Sequence, residues 1–239
     1  MSSKRDSSSS SQLVEHVRNS LSLLRDAELA AGMAAYMKTE MPFYGVQKPL
    51  RVPILREIKK NFAPRDLSEY EACVLALWAQ PHREEKYMAI NYADSFQQFK
   101  VKDAIPLYER LIREGAWWDL VDPVSADLVG EAYLVERKSM KPLINKWSKD
   151  KDMWIRRCSL LAHLHHKDVT DEDQLFSLCL NLSSENEFFI RKAIGWALRE
   201  YSKTAPKAVG KFLKSNRRQL SPLSYREGAK HLISKGGSF

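Results

Sequence analysis

Two stretches decide the fold: MWIRRCSLLAHLHH at residues 153–166 and FFIRKAIGWALREY at residues 188–201. Each places apolar residues three and four positions apart, which is the spacing of one face of an α-helix. Ile155 and Ile190 are 35 residues apart, and each is followed by two basic residues. A helical motif that returns after this interval indicates two-helix repeats, whose neighbours stack and share one continuous core.

The same spacing extends in both directions along the chain. Steps of 35 residues connect one set of positions: Arg51, Lys86, Val121, Arg156, Arg191 and Arg226. The set that follows it holds Val52, Tyr87, Asp122, Arg157, Lys192 and Glu227. Between them lie further helical patterns, such as YEACVLALWA and AIPLYERLI, joined by short loops with Pro, Asp, Ser or Asn. The sequence therefore predicts an all-α fold, a right-handed-stacked solenoid of about six two-helix repeats.

Domain organisation follows from the same pattern. The first residues, MSSKRDSSSSSQ, precede the helical repeats and are rich in serine, which predicts a disordered tail at residues 1–12 and a single repeat domain at residues 13–239. An address or a phosphorylation site in this tail is the alternative. The tail has no apolar segment typical of a secretory signal, and no apolar run approaches the roughly 20 residues of a membrane span.

The charge balance points to an anionic partner. The net charge is +8, for which nucleic acid is the first candidate and a basic surface that serves solubility alone is the alternative. In a solenoid the second helix of each repeat lines the concave side, so the recurring Arg and Lys would form a stripe along a basic groove. Three cysteines without a CxxC pair, Cys73, Cys158 and Cys179, predict reduced, buried thiols and an intracellular protein.

One carboxylate interrupts the basic stripe. The stretch EGAWWDLVDPVSADLV at residues 114–129 places Asp122 where its neighbours in the repeat are Tyr87 and Arg157. A carboxylate repels phosphate, and this cost is tolerable if it stabilises a cation formed on the nucleic acid or holds water against it. Two structural alternatives stay open, a helix cap or an ion pair with Arg157.

Tryptophans accompany this carboxylate. Trp118 and Trp196 could present flat, electron-rich surfaces to a groove, where such rings attract cations and stack on sugars and bases. Trp78, Trp117 and Trp147 are predicted to fill the core.

Taken together, these motifs resemble the DNA alkylation repair family of AlkD-type alkylpurine DNA glycosylases, which are built from HEAT-like repeats. The resemblance covers about residues 13–232 and is carried by YMKTEMPFYGVQKPLRVPILREI, WWDLVD, MWIRRCSLLAHL and FFIRKAIGWALREY, in this order. It implies a curved helical solenoid that grips double-stranded DNA in a concave basic groove. It also implies hydrolysis of the N-glycosidic bond of cationic purines, chiefly 3-methyladenine and 7-methylguanine, without flipping of the base.

The resemblance also implies roles for individual residues. Asp122 would be the catalytic carboxylate, Trp118 and Trp196 would contact the deoxyribose, Arg157 would bind a phosphate, and Tyr36 would face the damaged base pair. We expect further DNA contacts from Lys86, Arg156, Lys167, Arg191 and Lys192. A lysine for Schiff-base strand cleavage is not identifiable, so we expect a monofunctional enzyme without a cofactor, acting as a monomer.

A histidine-rich segment is the remaining candidate for chemistry. HLHHKDVTDED carries His163, His165 and His166, but a second pair of ligands at matching spacing is missing, which argues against a metal. We expect surface histidines close to the DNA backbone, with Lys167 as a phosphate contact.

The alternative function is a non-catalytic HEAT-like protein that binds DNA or branched DNA, since helical solenoids host many binding functions. A protein-binding adaptor ranks last because it would favour an acidic or apolar groove. The set Trp118, Asp122, Arg157 and Trp196 discriminates between an enzyme and a binder. The preferred methylpurine, the acceptance of bulky adducts, and the compartment (bacterial cytoplasm with its nucleoid, or a nucleus) are not determined by the sequence.

Overall fold

The computed structural model describes residues 2–236, and the side chains of residues 9–236. Over this range the chain is built from helices and contains no β-strand, so the all-α prediction is confirmed. The chain divides into two compact units that meet in sequence between Lys100 and Val101. The assignment of residues 13–239 to a single domain stays a prediction.

The first unit contains five α-helices. They are α1 (Ser2–Leu23), α2 (Ala27–Met37), α3 (Lys48–Asn61), α4 (Leu67–Trp78) and α5 (Arg83–Asp94). α1 packs against α3, α4 and α5 through Leu13, Val17 and Leu21, which are fully buried at helical spacing. Ser10 lies on the same face and is also buried. Helix α1 therefore begins inside the serine-rich stretch, and the disorder of residues 1–12 stays a prediction.

Two buried carboxylates hold the segment before α3. Glu84 of α5 is fully buried and accepts hydrogen bonds from the backbone N–H groups of Tyr44, Gly45 and Val46, at 3.0, 2.8 and 3.0 Å. Its neighbour Glu85 accepts the Tyr44 hydroxyl at 2.9 Å. Since a buried carboxylate needs several donors, this loop is fixed to α5 by charge-assisted hydrogen bonds.

Helix α2 is attached differently. The Asp26 N–H that precedes it donates to the Tyr44 carbonyl at 2.8 Å. Gly45 has a φ of +86°, and a Cβ there would lie 2.0 Å from the Asp26 carbonyl oxygen, so glycine is required for this close approach. The rest of α2 is apolar in sequence, yet none of its residues is buried.

The second unit carries the repeated motifs. Its helices are α6 (Ile105–Gly115), α7 (Trp118–Pro123), α8 (Gly130–Val135), α9 (Arg137–Trp147), α10 (Met153–Leu161), α11 (Glu172–Asn181), α12 (Phe188–Ser202), α13 (Pro206–Ser215) and α14 (Pro222–Ser234). The second helices of successive pairs contact one another in order, α10 with α12 and α12 with α14, and α9 and α13 pack beside them. This arrangement is consistent with the predicted stack of two-helix repeats within the unit. The number of repeats, their handedness and a concave groove stay predictions.

A wide helical turn separates α7 from α8. Residues Val124–Val129 form a π-helix directly after Pro123. Proline has no backbone N–H, so the regular hydrogen bond at this position cannot form, and an irregular turn follows. The Ser125 hydroxyl, which is buried, donates to the Val121 carbonyl at 2.7 Å.

Two general predictions are tested by this structure. Cys73, Cys158 and Cys179 form no disulfide and are buried, as expected. Across the described residues, no helix combines the length and the apolar character needed to cross a membrane.

Candidate active site

Asp122 and Arg157 form a buried ion pair in the second unit. The Arg157 Nε donates to Asp122 Oδ1 at 2.7 Å and its Nη2 donates to Oδ2 at 2.8 Å. The two residues are 9% and 4% exposed. Two parallel N–H···O bonds fix the plane of the carboxylate as well as its position. Of the two structural alternatives, the ion pair is therefore present. The cap is not, since Asp122 lies inside α7, whose N-cap is Trp117.

The guanidinium of Arg157 has a third partner. Its Nη1 donates to the backbone carbonyl of Phe189 at the start of α12, and its carbon lies 5.8 Å from the centre of the Phe189 ring. Arg157 thus joins α7, α10 and α12 within the chain. Its predicted contact with a DNA phosphate stays a prediction.

The environment of Asp122 disfavours its charge more than Arg157 favours it. Burial raises the pKa of Asp122, the hydrogen bonds and charge of Arg157 act to lower it, and the charge of Asp119 raises it further. The net direction is a pKa above that of an ordinary aspartate. A carboxylate with a perturbed pKa and a specific charge partner is typical of functional sites.

The two tryptophans predicted for the site lie on helices beside this pair. Trp118 is the first residue of α7, one helical turn before Asp122, and Trp196 lies in the middle of α12. Both are half-buried. Helix α10, which carries Arg157, contacts α7 and α12, so the structure brings the elements that carry all four residues into one part of this unit.

An aromatic cluster lies next to Arg157 of the ion pair. Trp117, Trp154 and Phe189 pack with ring centres 4.9–6.2 Å apart. Trp78 and Trp147 are buried core residues, as predicted, whereas Trp117 packs in this cluster but is only half-buried. Sequence reasoning missed Phe189. The repeat contains a signal for it, since Phe189 lies 35 residues after Trp154.

Three basic residues of the predicted stripe in the second unit have partners within the chain. Arg156 makes two bonds to Glu185, at 2.7 and 2.8 Å. Arg191 donates to the Glu185 carbonyl at 2.9 Å and to Asn186. Lys192 lies 3.3 Å from Glu227. These contacts fix the side chains, and their predicted contacts with DNA stay predictions.

The remaining predicted DNA contacts differ in exposure. In the first unit, the Lys86 ammonium donates to the Trp78 and Gln80 carbonyls at 2.6 and 3.2 Å and so stabilises the C-terminus of α4. Tyr36 of α2 is 73% exposed. In the second unit Lys167 is exposed, at a backbone φ of +50°.

The expectation of surface histidines is wrong for two of the three. His163 and His166 are 3% and 2% exposed and pack against the Tyr133 ring, with ring centres 5.5 and 5.4 Å apart. Burial lowers the pKa of each to about 4. Only His165 is exposed, and it lies 3.0 Å from Asp127. Among the described residues, no group of His, Cys, Asp and Glu could hold a metal ion.

Comparison with known proteins identifies the family of this chain. The family model described as "DNA alkylation repair enzyme" matches residues 17–232. A solved structure described as a predicted DNA alkylation repair enzyme from Enterococcus faecalis is similar, with 31% sequence identity and a TM-score of 0.76, over 87% of this chain and 96% of that chain. No curated protein sequence matches the chain. The family match spans nearly the whole chain and includes every residue of the site, so this protein belongs to the DNA alkylation repair enzyme family.

Proposed function

We propose that the protein is a monofunctional DNA glycosylase that hydrolyses the N-glycosidic bond of purines alkylated at N3 or N7 in duplex DNA. The observation that carries this proposal is the buried carboxylate of Asp122, whose plane is fixed by two hydrogen bonds from Arg157. Asp122 lies one helical turn after Trp118 on α7. The chain has a net charge of +8 and belongs to a DNA repair family. The negative charge of Asp122 repels DNA phosphates and does not help DNA binding. A carboxylate at this position is useful if the reaction forms a cation that it can stabilise.

The reaction needs little from the enzyme because the substrate base is already cationic. The C1′–N bond breaks, its electron pair neutralises the departing purine, and the deoxyribose becomes oxocarbenium-like. Water then adds at C1′ and loses a proton to solvent. A fixed carboxylate stabilises the positive sugar, and such electrostatic preorganisation is the largest catalytic contribution in many enzymes.

Asp122 retains capacity for this role despite its ion pair. Arg157 places one hydrogen bond on each carboxylate oxygen, and each oxygen of an ionised carboxylate accepts two. The free lone pairs can face the sugar or orient the water. Trp118 and Trp196 would supply flat surfaces that attract the cationic sugar. We further propose that the base stays stacked in the duplex, that the enzyme acts as a monomer, and that it uses no cofactor.

Single-turnover release of 7-methylguanine from a defined duplex tests the proposal. We expect release by the wild-type protein and a loss of about 100-fold or more in Asp122→Asn, since one preorganised charge is removed. Asp119→Asn is the matched control, because it neutralises an aspartate on the same helix. Equal rates in the two variants would exclude the catalytic role of Asp122.

Removal of Asp122 alone leaves the Arg157 charge buried, so the fold of each variant has to be checked by thermal melting. The double variant Asp122→Asn, Arg157→Gln avoids that unpaired charge and should be equally inactive. If the wild type binds DNA but releases no 7-methylguanine or 3-methyladenine, the protein is a DNA-binding member of its family and the ion pair is structural.

A further inference from the structure

Glu227 of α14 is a buried carboxylate surrounded by three cations. Its oxygens lie 3.3 Å from the Lys192 ammonium, 3.1 Å from Arg199 Nη1 and 2.6 Å from the Lys230 ammonium. The Glu227 side chain is 7% exposed, while those of the three cations are 40%, 30% and 50% exposed. One buried negative charge thus gathers three positive charges at the surface, and two of them are not neutralised.

Two other ion pairs of this unit have a different balance. Arg157 is matched by Asp122 and Arg156 by Glu185, in each case by a bidentate pair of one cation with one carboxylate. Each of those two pairs is neutral. The Glu227 cluster therefore differs from them in presenting excess positive charge to an anion.

The backbone fixes the position of Glu227. A Cβ at Gly195 of α12 would lie 2.4 Å from the Glu227 Cβ and 2.9 Å from the Ser224 carbonyl oxygen. The Ser224 hydroxyl donates to the Arg191 carbonyl at 2.9 Å. Helices α12 and α14 therefore approach closely here, and the Glu227 Cβ lies against the backbone of α12.

The cluster surrounds a residue of the candidate site. Lys192, Trp196 and Arg199 are four and three positions apart on α12, and at 3.6 residues per turn they share one face of the helix. The two cations therefore precede and follow the half-buried Trp196 indole along that face. In a duplex each deoxyribose has a phosphate on either side, so a sugar at Trp196 would bring a phosphate towards these cations.

We propose that Glu227 is a positioning residue, which draws Lys192, Arg199 and Lys230 together into a patch that binds a DNA phosphodiester beside Trp196. Without the carboxylate the three cations repel one another and spread. With it, they converge on one point of the surface while keeping a net positive charge. This inference rests on the proposed function, because it takes Trp196 as part of the site.

Binding of an undamaged duplex tests the patch independently of base release. We expect Lys192→Gln to weaken binding several-fold and to reduce the salt slope by about one phosphate contact. In the Glu227→Gln background, the same change should have less than half that effect, because Lys192 is no longer held in place. Additive effects of the two substitutions would overturn the proposal. Glu227→Asp keeps the charge and shortens the side chain, so it should weaken the coupling too, and it serves if Glu227→Gln does not fold.

Base release at saturating enzyme separates positioning from charge. Glu227→Gln and Glu200→Gln each raise the net charge by one, and Glu200, on α12, is paired with Lys203. With all of the DNA bound, only Glu227→Gln should slow release, by about tenfold. Equal release rates in the two variants would contradict a positioning role. If the wild type releases no base, the proposed function fails, and the binding cycle alone decides whether Glu227 builds a phosphate-binding patch.

Discussion

Asp122 and Arg157 are joined by two hydrogen bonds across 35 residues, which is the length of the sequence repeat. Equivalent positions on neighbouring repeats are thus direct partners in the fold. The carboxylate and the guanidinium are both buried, so each is the main compensation for the other's loss of hydration.

This mutual dependence predicts a strong energetic coupling. Asp122→Asn or Arg157→Gln alone should lower the free energy of unfolding by about 3–5 kcal/mol, because each leaves a buried charge unpaired. The double variant should lose less than the sum of the two. Urea denaturation of all four proteins gives the coupling, and losses that simply add would show that the pair is not a unit.

Base release should depend on the ionisation of Asp122. Since burial raises the pKa of Asp122, we expect release to fall with decreasing pH above the range in which an ordinary aspartate, near 3.9, titrates. The charge of Asp119 adds to this shift and Arg157 opposes it. Asp119→Asn should therefore move the acid limb of the rate profile to lower pH, and Arg157→Gln should move it to higher pH. A limb that shifts in neither variant would assign the titration to another group.

Gly195 should not tolerate a methyl group. A Cβ there meets the Glu227 Cβ at 2.4 Å, so Gly195→Ala should force α12 and α14 apart and cost about 1–3 kcal/mol of stability. Gly32→Ala is the control, because a Cβ at Gly32 of α2 has no atom within 4 Å. The control should gain about 0.5–1 kcal/mol from the higher helix propensity of alanine. A melting temperature that is the same for both variants would contradict the packing of α12 on α14.

The buried histidines should make the fold sensitive to acid. Because burial lowers the pKa of His163 to about 4, the unfolded chain binds a proton between pH 6.5 and 4 that the folded chain does not. The free energy of unfolding is therefore highest above about pH 6.5. It falls towards pH 4, and His163 accounts for about 3 kcal/mol of this loss.

Denaturation at pH 7.5 and at pH 5 measures this effect. His163→Gln should reduce the difference between the two pH values. His165→Gln should not reduce it, since His165 is exposed and hydrogen bonding to Asp127 raises its pKa. If all three proteins lose the same stability, the acid sensitivity has another source.

Much of this architecture could be predicted because it depends on periodicity. The spacing of Ile155 and Ile190 indicates a 35-residue helical repeat. This repeat places Asp122 and Arg157 at equivalent positions. The partners of charged side chains were harder to predict. Lys86 binds carbonyls at a helix end, and His163 is buried. Which acid, carbonyl or ring a long side chain meets depends on a few ångströms of packing, which residue spacing does not determine.

Helix α2 differs from the other helices in how little its side chains contribute to the core. Because it buries none of its own residues, its side chains contribute little to the free energy of folding. Substitutions on α2 that keep its helix propensity should therefore change the stability little. The sequence of α2 can therefore change more freely than that of the buried helices while the core stays the same.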